Sequence, residues 1–222
     1  MYIVAGGPKK LIPDLTLFED QDVKWIGIDR GVIHLMEFGI TPEFAFGDFD
    51  SITQIELKQL NNELQHIEIF PAKKDKTDSE IGMDFALSHD NVDEIILFGA
   101  TGGRIDHLMG NLHILLKALK QNVKAKLVDV QNEIRLFQKG TYYINKSPKY
   151  SYVSFLPITE EVKGLTLKGF KYPLNNCHIQ LGSTLCISNE LIHPVGTFSF
   201  SDGILMMIRS CDESENPLLF SI

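Results

Sequence analysis

Residues 94–109 have the sequence EIILFGATGGRIDHLM, in which three local patterns follow one another. The run Glu94 to Phe98 is rich in Ile and Leu and predicts a buried strand. Residues 99–104 contain two adjacent glycines and predict a tight turn. From Ile105 to Leu119, apolar residues recur at the spacing of a helix face, which predicts a helix. A strand, a glycine-rich turn and a helix in this order are typical of an α/β sheet.

The same alternation extends over the first part of the chain. The predicted strands are Tyr2 to Ala5, Trp25 to Ile28, Phe44 to Phe46, Ile67 to Phe70, Glu94 to Phe98 and Ala125 to Val130. The predicted helices are Val32 to Phe38, Gln54 to Leu64, Ser79 to Leu87 and Ile105 to Leu119. We therefore predict an α/β domain over residues 1–132, with a mostly parallel sheet and flanking helices.

The rest of the chain, residues 133–222, has a different pattern. It contains short strand-like runs separated by Gly, Pro and Asn, at Ile134 to Phe137, Thr141 to Ile144, Tyr150 to Leu156, Leu165 to Leu167, Thr184 to Ile187, Thr197 to Phe200 and Ile204 to Ile208. Closely spaced strands of this kind predict a small all-β sandwich or barrel as a second domain.

Composition and charge exclude several classes of protein. The chain has 222 residues, a net charge of -8 and a pI near 5.3, which argue against nonspecific binding to nucleic acid or membrane surfaces. Its three cysteines lack Cys-x-x-Cys spacing, so we expect reduced thiols. No run reaches the roughly 18 apolar residues of a membrane span, and Met1 opens directly into a strand-like run. We expect a cytoplasmic protein.

Three acidic clusters follow strand-like runs and precede helix-like stretches. They are Gly47-Asp48-Phe49-Asp50-Ser51, Lys74-Asp75-Lys76-Thr77-Asp78 and Gly102-Gly103-Arg104-Ile105-Asp106-His107. Loops that leave the strand ends of an open α/β sheet converge on one crevice, where ligands bind. Carboxylates in such loops are suited to Mg²⁺, which prefers one or two carboxylates together with substrate phosphates. The clusters therefore predict a phosphate and metal site.

Each cluster also has a structural interpretation. Asp48 and Asp50 are two residues apart and could share a cation, but Asp, Gly and Ser are also common turn residues. Thr77 or Asp78 could simply cap a helix, although a capped helix start also presents free N–H groups to a phosphate. Both interpretations can hold together for the second cluster.

The third cluster combines two glycines with an arginine, whose guanidinium offers several N–H donors in one plane. Adjacent glycines let the backbone approach a phosphate, and the planar guanidinium of Arg104 matches phosphate oxygens. The stretch is neither a Walker A motif nor a Gly-x-Gly-x-x-Gly fingerprint, and a generic βα turn is the alternative. Asp106 and His107 could stabilise the helix end, but beside Arg104 we expect them to face the site.

Weaker signals lie earlier in the chain. Gly6-Gly7 follows the first strand, and Asp29-Arg30-Gly31 follows the second, so both should reach the same edge of the sheet. We assign Asp29 to the nucleotide site, with helix capping as the alternative. His34 and the other histidines outside the third cluster show no metal-ligand spacing, so surface or packing roles are favoured.

The clusters together resemble those of the thiamine pyrophosphokinase family. The resemblance rests on Gly47 to Ser51, on Asp75 to Asp78 and on Gly99 to His107, in that order, followed by Ser188-Asn189-Glu190. It spans nearly the whole chain, because that family also pairs an N-terminal α/β nucleotide domain with a C-terminal β-sandwich. One departure is Asp29-Arg30-Gly31, which stands where many members have Asp-Gly-Gly.

The resemblance implies transfer of the pyrophosphoryl group of ATP to the hydroxyl of thiamine, giving thiamine diphosphate and AMP. It also implies a homodimer in which thiamine lies between the α/β domain of one subunit and the β domain of the other. By position, it assigns magnesium and phosphate binding to Asp48, Asp50 and Asp78, nucleotide and phosphate contacts to Thr77, Arg104 and Asp106, and thiamine contacts to Ser188 and Asn189.

Two other functions remain open from the residues alone. A metal-dependent phosphohydrolase could use the same acidic residues to activate water. A nonenzymatic nucleotide-binding sensor could use the same loops without turnover. The joint match of all clusters favours the transferase over both.

Overall fold

The computed structural model describes residues 1–20, 22–49, 52, 53, 56 and 75–212, together with the backbone of residues 67–69. The chain divides into two units, Met1–Val130 and Gln131–Ile222. The predicted helix Gln54 to Leu64 lies, apart from residue 56, outside the described residues. The described helices include none that is long and apolar enough to cross a membrane.

The described strands of the first unit form a parallel sheet, as predicted. They are β1 (Tyr2–Val4), β2 (Trp25–Ile28), β3 (Phe44–Gly47), β4 (Ile67–Ile69), β5 (Glu94–Phe98) and β6 (Lys124–Val128). The helices are α1 (Gly31–Glu37), α2 (Asp78–Leu87) and α3 (Ile105–Lys120). Strand β2 is buried along its whole length, as expected for a parallel sheet covered on both faces. The predicted α/β fold class is confirmed.

The strand order determines where a ligand can bind. The order in this unit is β6-β5-β1-β2-β3-β4, and every pair is parallel. From β1 the chain builds outward through β2 to β4 on one side, and through β5 and β6 on the other. The order therefore reverses between β1 and β5, and a crevice opens beyond the carboxyl ends of the strands at such a point.

Helix α3 is confirmed, but its apolar spacing does not mark its most buried face. The buried residues are Asn111, Ile114, Leu115 and Ala118. Ile105 and Met109, which belong to the apolar series in the sequence, are exposed. Sequence periodicity identified the helix but not the side that packs on the sheet.

The described part of the second unit is rich in strands, as predicted, and its strand pairs are antiparallel. The strands are β7 (Asn132–Asn145), β8 (Tyr152–Pro157), β9 (Glu161–Lys168), β10 (Leu174–Gln180) and β11 (Val195–Ser210). Strand β11 pairs with β7 over its whole length. On its other edge it pairs first with β9 and then with β8, and the register shifts between Phe200 and Ile204. Irregularities of this kind locally bend a strand. The core of this unit contains Phe155, Leu165 and Phe198.

Three details of the second unit differ from the prediction. Ile134 to Phe137 and Thr141 to Ile144 belong to one strand, and so do Thr197 to Phe200 and Ile204 to Ile208. Glycine at 140 and 203 suggested breaks where the structure has continuous strands. The predicted strand Thr184 to Ile187 is wrong, because these residues belong to an irregular, turn-rich stretch. Strand β10 was missed, since it is a polar edge strand with only Ile179 buried.

Gly31 should be intolerant of a side chain, because α1 lies very close to β1. A Cβ at Gly31 would lie 1.9 Å from the backbone oxygen of Val4. We expect Gly31→Ala to lower the free energy of unfolding by about 2 kcal/mol, the middle of the range for overpacking. Urea denaturation measures the change.

Gly110→Ala is the matched control. Gly110 lies within α3, and a Cβ there would meet nothing within 4 Å. Alanine in an open helical position should stabilise the protein by up to about 1 kcal/mol. Equal effects of the two substitutions would contradict the close approach of α1 to β1.

Candidate nucleotide site

Two glycine turns meet where the strand order reverses. The N–H of Gly7, after β1, donates to the carbonyl oxygen of Gly99, after β5, at 2.8 Å. A Cβ at Gly7 would lie 2.3 Å from that oxygen. Gly99 has a φ of 61°, in the left-handed region that favours glycine. Glycine at both positions lets the two backbones touch.

The turns form the wall of a cleft of about 490 Å³. It is lined by Ala5, Gly6, Gly7, Pro8, Ile28, Asp29, Ser79, Gly99, Ala100, Thr101, Gly102, Gly103, Arg104, His107 and Asn111. Among the predicted site residues, the structure thus brings Asp29, Arg104 and His107 to one place. Glycine turns and a helix start at the carboxyl end of a parallel sheet are features of phosphate sites.

Two lining residues were not singled out from the sequence. Asn111 is buried in α3, and its Nδ2 donates to the carbonyl oxygen of Ala100 at 2.9 Å, which holds the second turn. Thr101 is also buried, and its hydroxyl has no hydrogen-bond partner among the described residues. The sequence signal for Asn111 is weak, because it is one of several polar residues in this helix and local patterns do not distinguish it from those on the surface.

Asp29 links the ends of β2 and β3. Its N–H donates to the carbonyl oxygen of Phe46 at 2.8 Å. A Cβ at Gly47 would lie 1.9 Å from Oδ1 of Asp29, so this carboxylate lies against the last residue of β3. Asp48 follows Gly47 in the chain, so these two acidic residues leave neighbouring strand ends.

The second cluster begins α2 at the same edge of the sheet. Thr77 is the N-cap, and its Oγ1 accepts from the N–H of Glu80 at 3.2 Å. The capping interpretation of Thr77 is therefore confirmed, while its nucleotide contact stays a prediction. Asp78 is the first residue of the helix, and Ser79 lines the cleft. The positive end of the helix dipole thus lies at the cleft.

Arg104 and Asp106 form a two-point ion pair at the start of α3. Arg104 Nε lies 3.1 Å from Asp106 Oδ1, and Nη2 lies 2.5 Å from Oδ2. The N–H of His107 donates to Asp106 Oδ1 at 3.0 Å. The hydrogen bonds from Arg104 hold the pKa of Asp106 below its ordinary value, and Asp106 raises the pKa of Arg104. Both side chains are largely exposed, so the pair can open to admit an anion at little cost.

The predicted metal ligands are only partly described. Asp50 lies outside the described residues. Asp48 directly follows β3, and Asp78 is the first residue of α2. Within the part of the chain that the structure describes, no three His, Cys, Asp or Glu side chains are grouped to hold a metal ion. The trio of Asp48, Asp50 and Asp78 stays a prediction.

In the second unit, Asn189 has a structural role that the sequence did not indicate. It is 2% exposed, and its Oδ1 accepts from the N–H groups of Tyr172 at 3.0 Å and Glu190 at 2.9 Å. Its Nδ2 donates to the carbonyl oxygen of Tyr172 at 2.8 Å. The amide of Asn189 holds two chain segments together as a clamp, and Tyr172 beside it is 58% exposed.

Ser188 differs from Asn189 in exposure. It has a φ of 55° and an exposed side chain, while its N–H donates to Oγ of Ser154 at 2.9 Å. Lys171 pairs with Glu190 across the same clamp at 2.6 Å. Of the two residues predicted for thiamine, Ser188 can therefore offer its side chain to a ligand, whereas the amide of Asn189 is engaged by backbone.

Family models match both parts of the chain. The model of the thiamin pyrophosphokinase catalytic domain matches residues 16–127, and that of the thiamin pyrophosphokinase vitamin B1 binding domain matches residues 141–205. The chain belongs to the thiamine pyrophosphokinase family. The family that the sequence indicated is therefore confirmed.

Known members of the thiamine pyrophosphokinase family resemble the chain over almost its full length. The thiamine pyrophosphokinase of Bacillus subtilis (strain 168) is 54% identical, covering 95% of this chain and 98% of that protein. A crystal structure of thiamine pyrophosphokinase from Bacillus subtilis has a TM-score of 0.90, with 54% identity and the same coverage of each chain. A crystal structure of the enzyme from Geobacillus thermodenitrificans has 51% identity, a TM-score of 0.87 and coverage of 96% and 98%.

Asn189→Ala should destabilise the protein, because it leaves backbone groups of Tyr172 and Glu190 without their partner. Each buried group that loses its hydrogen bond costs about 1–3 kcal/mol, so we expect a loss of about 2–4 kcal/mol in the free energy of unfolding. Chemical denaturation measures this loss in the free energy of unfolding.

Asn175→Ala is the control, since Asn175 is an exposed residue of β10. A surface substitution should change the free energy of unfolding by less than about 0.5 kcal/mol. Equal stability of Asn189→Ala and Asn175→Ala would contradict the clamp.

Proposed function

We propose that the chain transfers the pyrophosphoryl group of ATP to the hydroxyl of thiamine and releases thiamine diphosphate and AMP. Membership of the thiamine pyrophosphokinase family, over both parts of the chain, carries this proposal. The cleft between the glycine turns supports it, because it combines a helix start, glycines and an arginine at the carboxyl end of a parallel sheet.

The phosphates of ATP bind at the two glycine turns. Ser79 at the start of α2 brings backbone N–H groups and the positive end of a helix dipole to the cleft. Arg104 leaves Asp106 and directs its planar fork to two phosphate oxygens, a pairing of matched geometry. Asp106 then keeps the guanidinium within reach of the nucleotide. Asp29 and His107 lie at the same cleft and complete its polar lining.

Magnesium is the metal that the acidic residues fit. Asp48, Asp50 and Asp78 provide hard oxygen ligands, and Asp29 brings a further carboxylate to the neighbouring strand end. When bound, Mg²⁺ neutralises phosphate charge and orients the phosphates for transfer.

The reaction needs positioning more than a covalent intermediate. The hydroxyl oxygen of thiamine attacks the β-phosphorus of ATP, a new O–P bond forms, and the bond from that phosphorus to the α–β bridging oxygen breaks. AMP leaves with the electrons of the broken bond. The hydroxyl proton passes to a carboxylate, with Asp50 and Asp78 as candidates, while the loose transition state makes only a small demand on the base.

Thiamine is assigned to the second unit. The segment after β9 exposes Tyr172, and the neighbouring turn exposes Ser188. An aromatic face suits the cationic thiazolium and planar aminopyrimidine rings, and a hydroxyl supplies a hydrogen bond that fixes their orientation. Asn189 supports this surface through the backbone of Tyr172.

The active form is proposed to be a cytoplasmic homodimer. In this arrangement the α/β unit of one subunit binds ATP, and the β unit of its partner binds thiamine. The resemblance to the family supports the dimer, and the charge of the chain and its three cysteines, none of which forms a disulfide, support the cytoplasm.

Incubation with ATP, Mg²⁺ and thiamine tests the function, with AMP and thiamine diphosphate measured over time. Equal amounts of the two products, formed only when thiamine is present, are expected. Phosphate release without thiamine would favour the phosphohydrolase. Binding of ATP without any AMP would favour the sensor.

Asp48→Asn should lower kcat at least tenfold and raise the Mg²⁺ concentration needed for half-maximal rate, because an amide is a poorer ligand for a hard cation. The melting temperature should change little. Asp93→Asn is the control, since Asp93 is exposed and precedes β5 at the opposite edge of the sheet. A loss of thermal stability in Asp48→Asn with full activity would assign Asp48 to a structural turn.

Mixed dimers test the shared site. Asp48→Asn and Tyr172→Ala should each be nearly inactive, and a mixture of the two variants should regain up to about a quarter of wild-type activity. The gain arises because half of the dimers are hybrids, each with one intact site. Subunit exchange is checked by native mass spectrometry. Exchange without recovery would mean that each site is built within a single chain.

A further inference from the structure

His34 lies behind the first glycine turn and contacts its backbone. The side chain belongs to α1, is 5% exposed, and places Nε2 3.1 Å from the carbonyl oxygen of Gly7. A carbonyl oxygen only accepts hydrogen bonds, so Nε2 carries the proton and donates it. The sequence favoured a packing or surface role for His34, whereas the structure gives its ring a specific partner in the cleft wall.

The peptide groups of Gly7 are therefore held on both sides. Its N–H donates to Gly99 at 2.8 Å, and its carbonyl oxygen accepts from His34. The first contact ties the turn to the end of β5, and the second ties it to α1. With both polar atoms engaged, the backbone of this turn is held in one orientation beside the cleft.

The other nitrogen of the imidazole faces a charged pair. His34 Nδ1 lies 3.6 Å from Glu37 Oε2, and Lys9 Nζ lies 2.9 Å from the same oxygen. Lys9 follows the glycine turn in the chain, so this pair also connects the turn to α1. Glu37 and Lys9 are substantially exposed, so their pair adds little by itself, and the buried bond from His34 is the stronger tie.

We propose that His34 is a positioning residue of the nucleotide site, whose buried imidazole holds the carbonyl oxygen of Gly7 toward α1 and away from the phosphates. A carbonyl oxygen carries partial negative charge and would repel a polyphosphate if it turned into the cleft. His34 thereby sets the electrostatic character of the first turn without touching the nucleotide. The inference rests on the proposed function for the identity of the ligand.

Two substitutions of similar size separate the hydrogen bond from packing. His34→Gln keeps an N–H donor at nearly the same reach, whereas His34→Met fills the space without a donor. The probe is α,β-methylene-ATP with Mg²⁺, whose Kd is measured by calorimetry in the absence of thiamine. We expect His34→Met to raise this Kd about tenfold, as expected when a buried carbonyl loses its donor, and His34→Gln to stay within about threefold of wild type.

The steady-state constants should show the same selectivity. In His34→Met the KM for ATP should rise while the KM for thiamine stays unchanged, and His34→Gln should restore the KM for ATP. His89→Met is the control, because Nδ1 of His89 also lies 2.9 Å from a carbonyl oxygen, that of Phe85, but Phe85, unlike Gly7, is not among the residues that line the cleft. It should leave both constants unchanged.

Equal Kd values for His34→Met and His34→Gln would overturn the proposal, and so would an equal rise in Kd for His89→Met. If wild type binds the analogue but makes no thiamine diphosphate, the proposed function fails while the comparison still decides the role of His34. If wild type does not bind the analogue, both fail. Should His34→Met not fold, NMR of the wild type decides: the ring of His34 should carry its proton on Nε2 and donate it to the carbonyl oxygen of Gly7, both with and without the analogue, and a ring protonated only on Nδ1 would overturn the proposal.

Discussion

The backbone contact between Gly7 and Gly99 is the constraint on which the nucleotide site depends. It requires β1 and β5 to be neighbours, and it requires glycine on both turns, because a side chain on either would separate them. This contact lies where the strand order reverses, and the cleft opens at that point of the sheet edge. The start of α2, the end of β2 and Arg104 are arranged around it.

Buried polar side chains hold backbone in both units. Asn111 binds the carbonyl oxygen of Ala100, and Asn189 binds both polar groups of Tyr172. In the second unit, the residues beside this clamp that can meet a ligand are more exposed, as Ser188 and Tyr172 are. A motif residue can thus contribute to a site by fixing the backbone near it. The conformational entropy of its side chain is then lost on folding, and no further side-chain entropy is lost when a ligand binds.

The first unit was largely predictable because its signals are local. Strands β2 and β5 begin and end where the apolar runs do, and Thr77 caps α2 as its position before the helix suggested. The second unit was harder to predict. Residues 184–187 have the composition of a strand but lie in an irregular, turn-rich stretch, while the polar strand β10 pairs at a sheet edge. Strand formation there depends on a partner, and local composition does not reveal the partner.

The sequence by itself determined the family, the α/β class of the first unit, the strand-rich character of the second, and the glycine turns and acidic clusters after the strands. Each of these features depends on residues that are close in the sequence, through hydrophobic periodicity, turn residues or short motifs. Only the tertiary structure decided that β1 lies beside β5, and that the amide of Asn189 is hydrogen-bonded to the backbone of Tyr172. It also decided that Asn111 and His34 hold the two glycine turns. These contacts join residues that are distant in the chain, and their strength comes from burial, which exists only once the chain has folded.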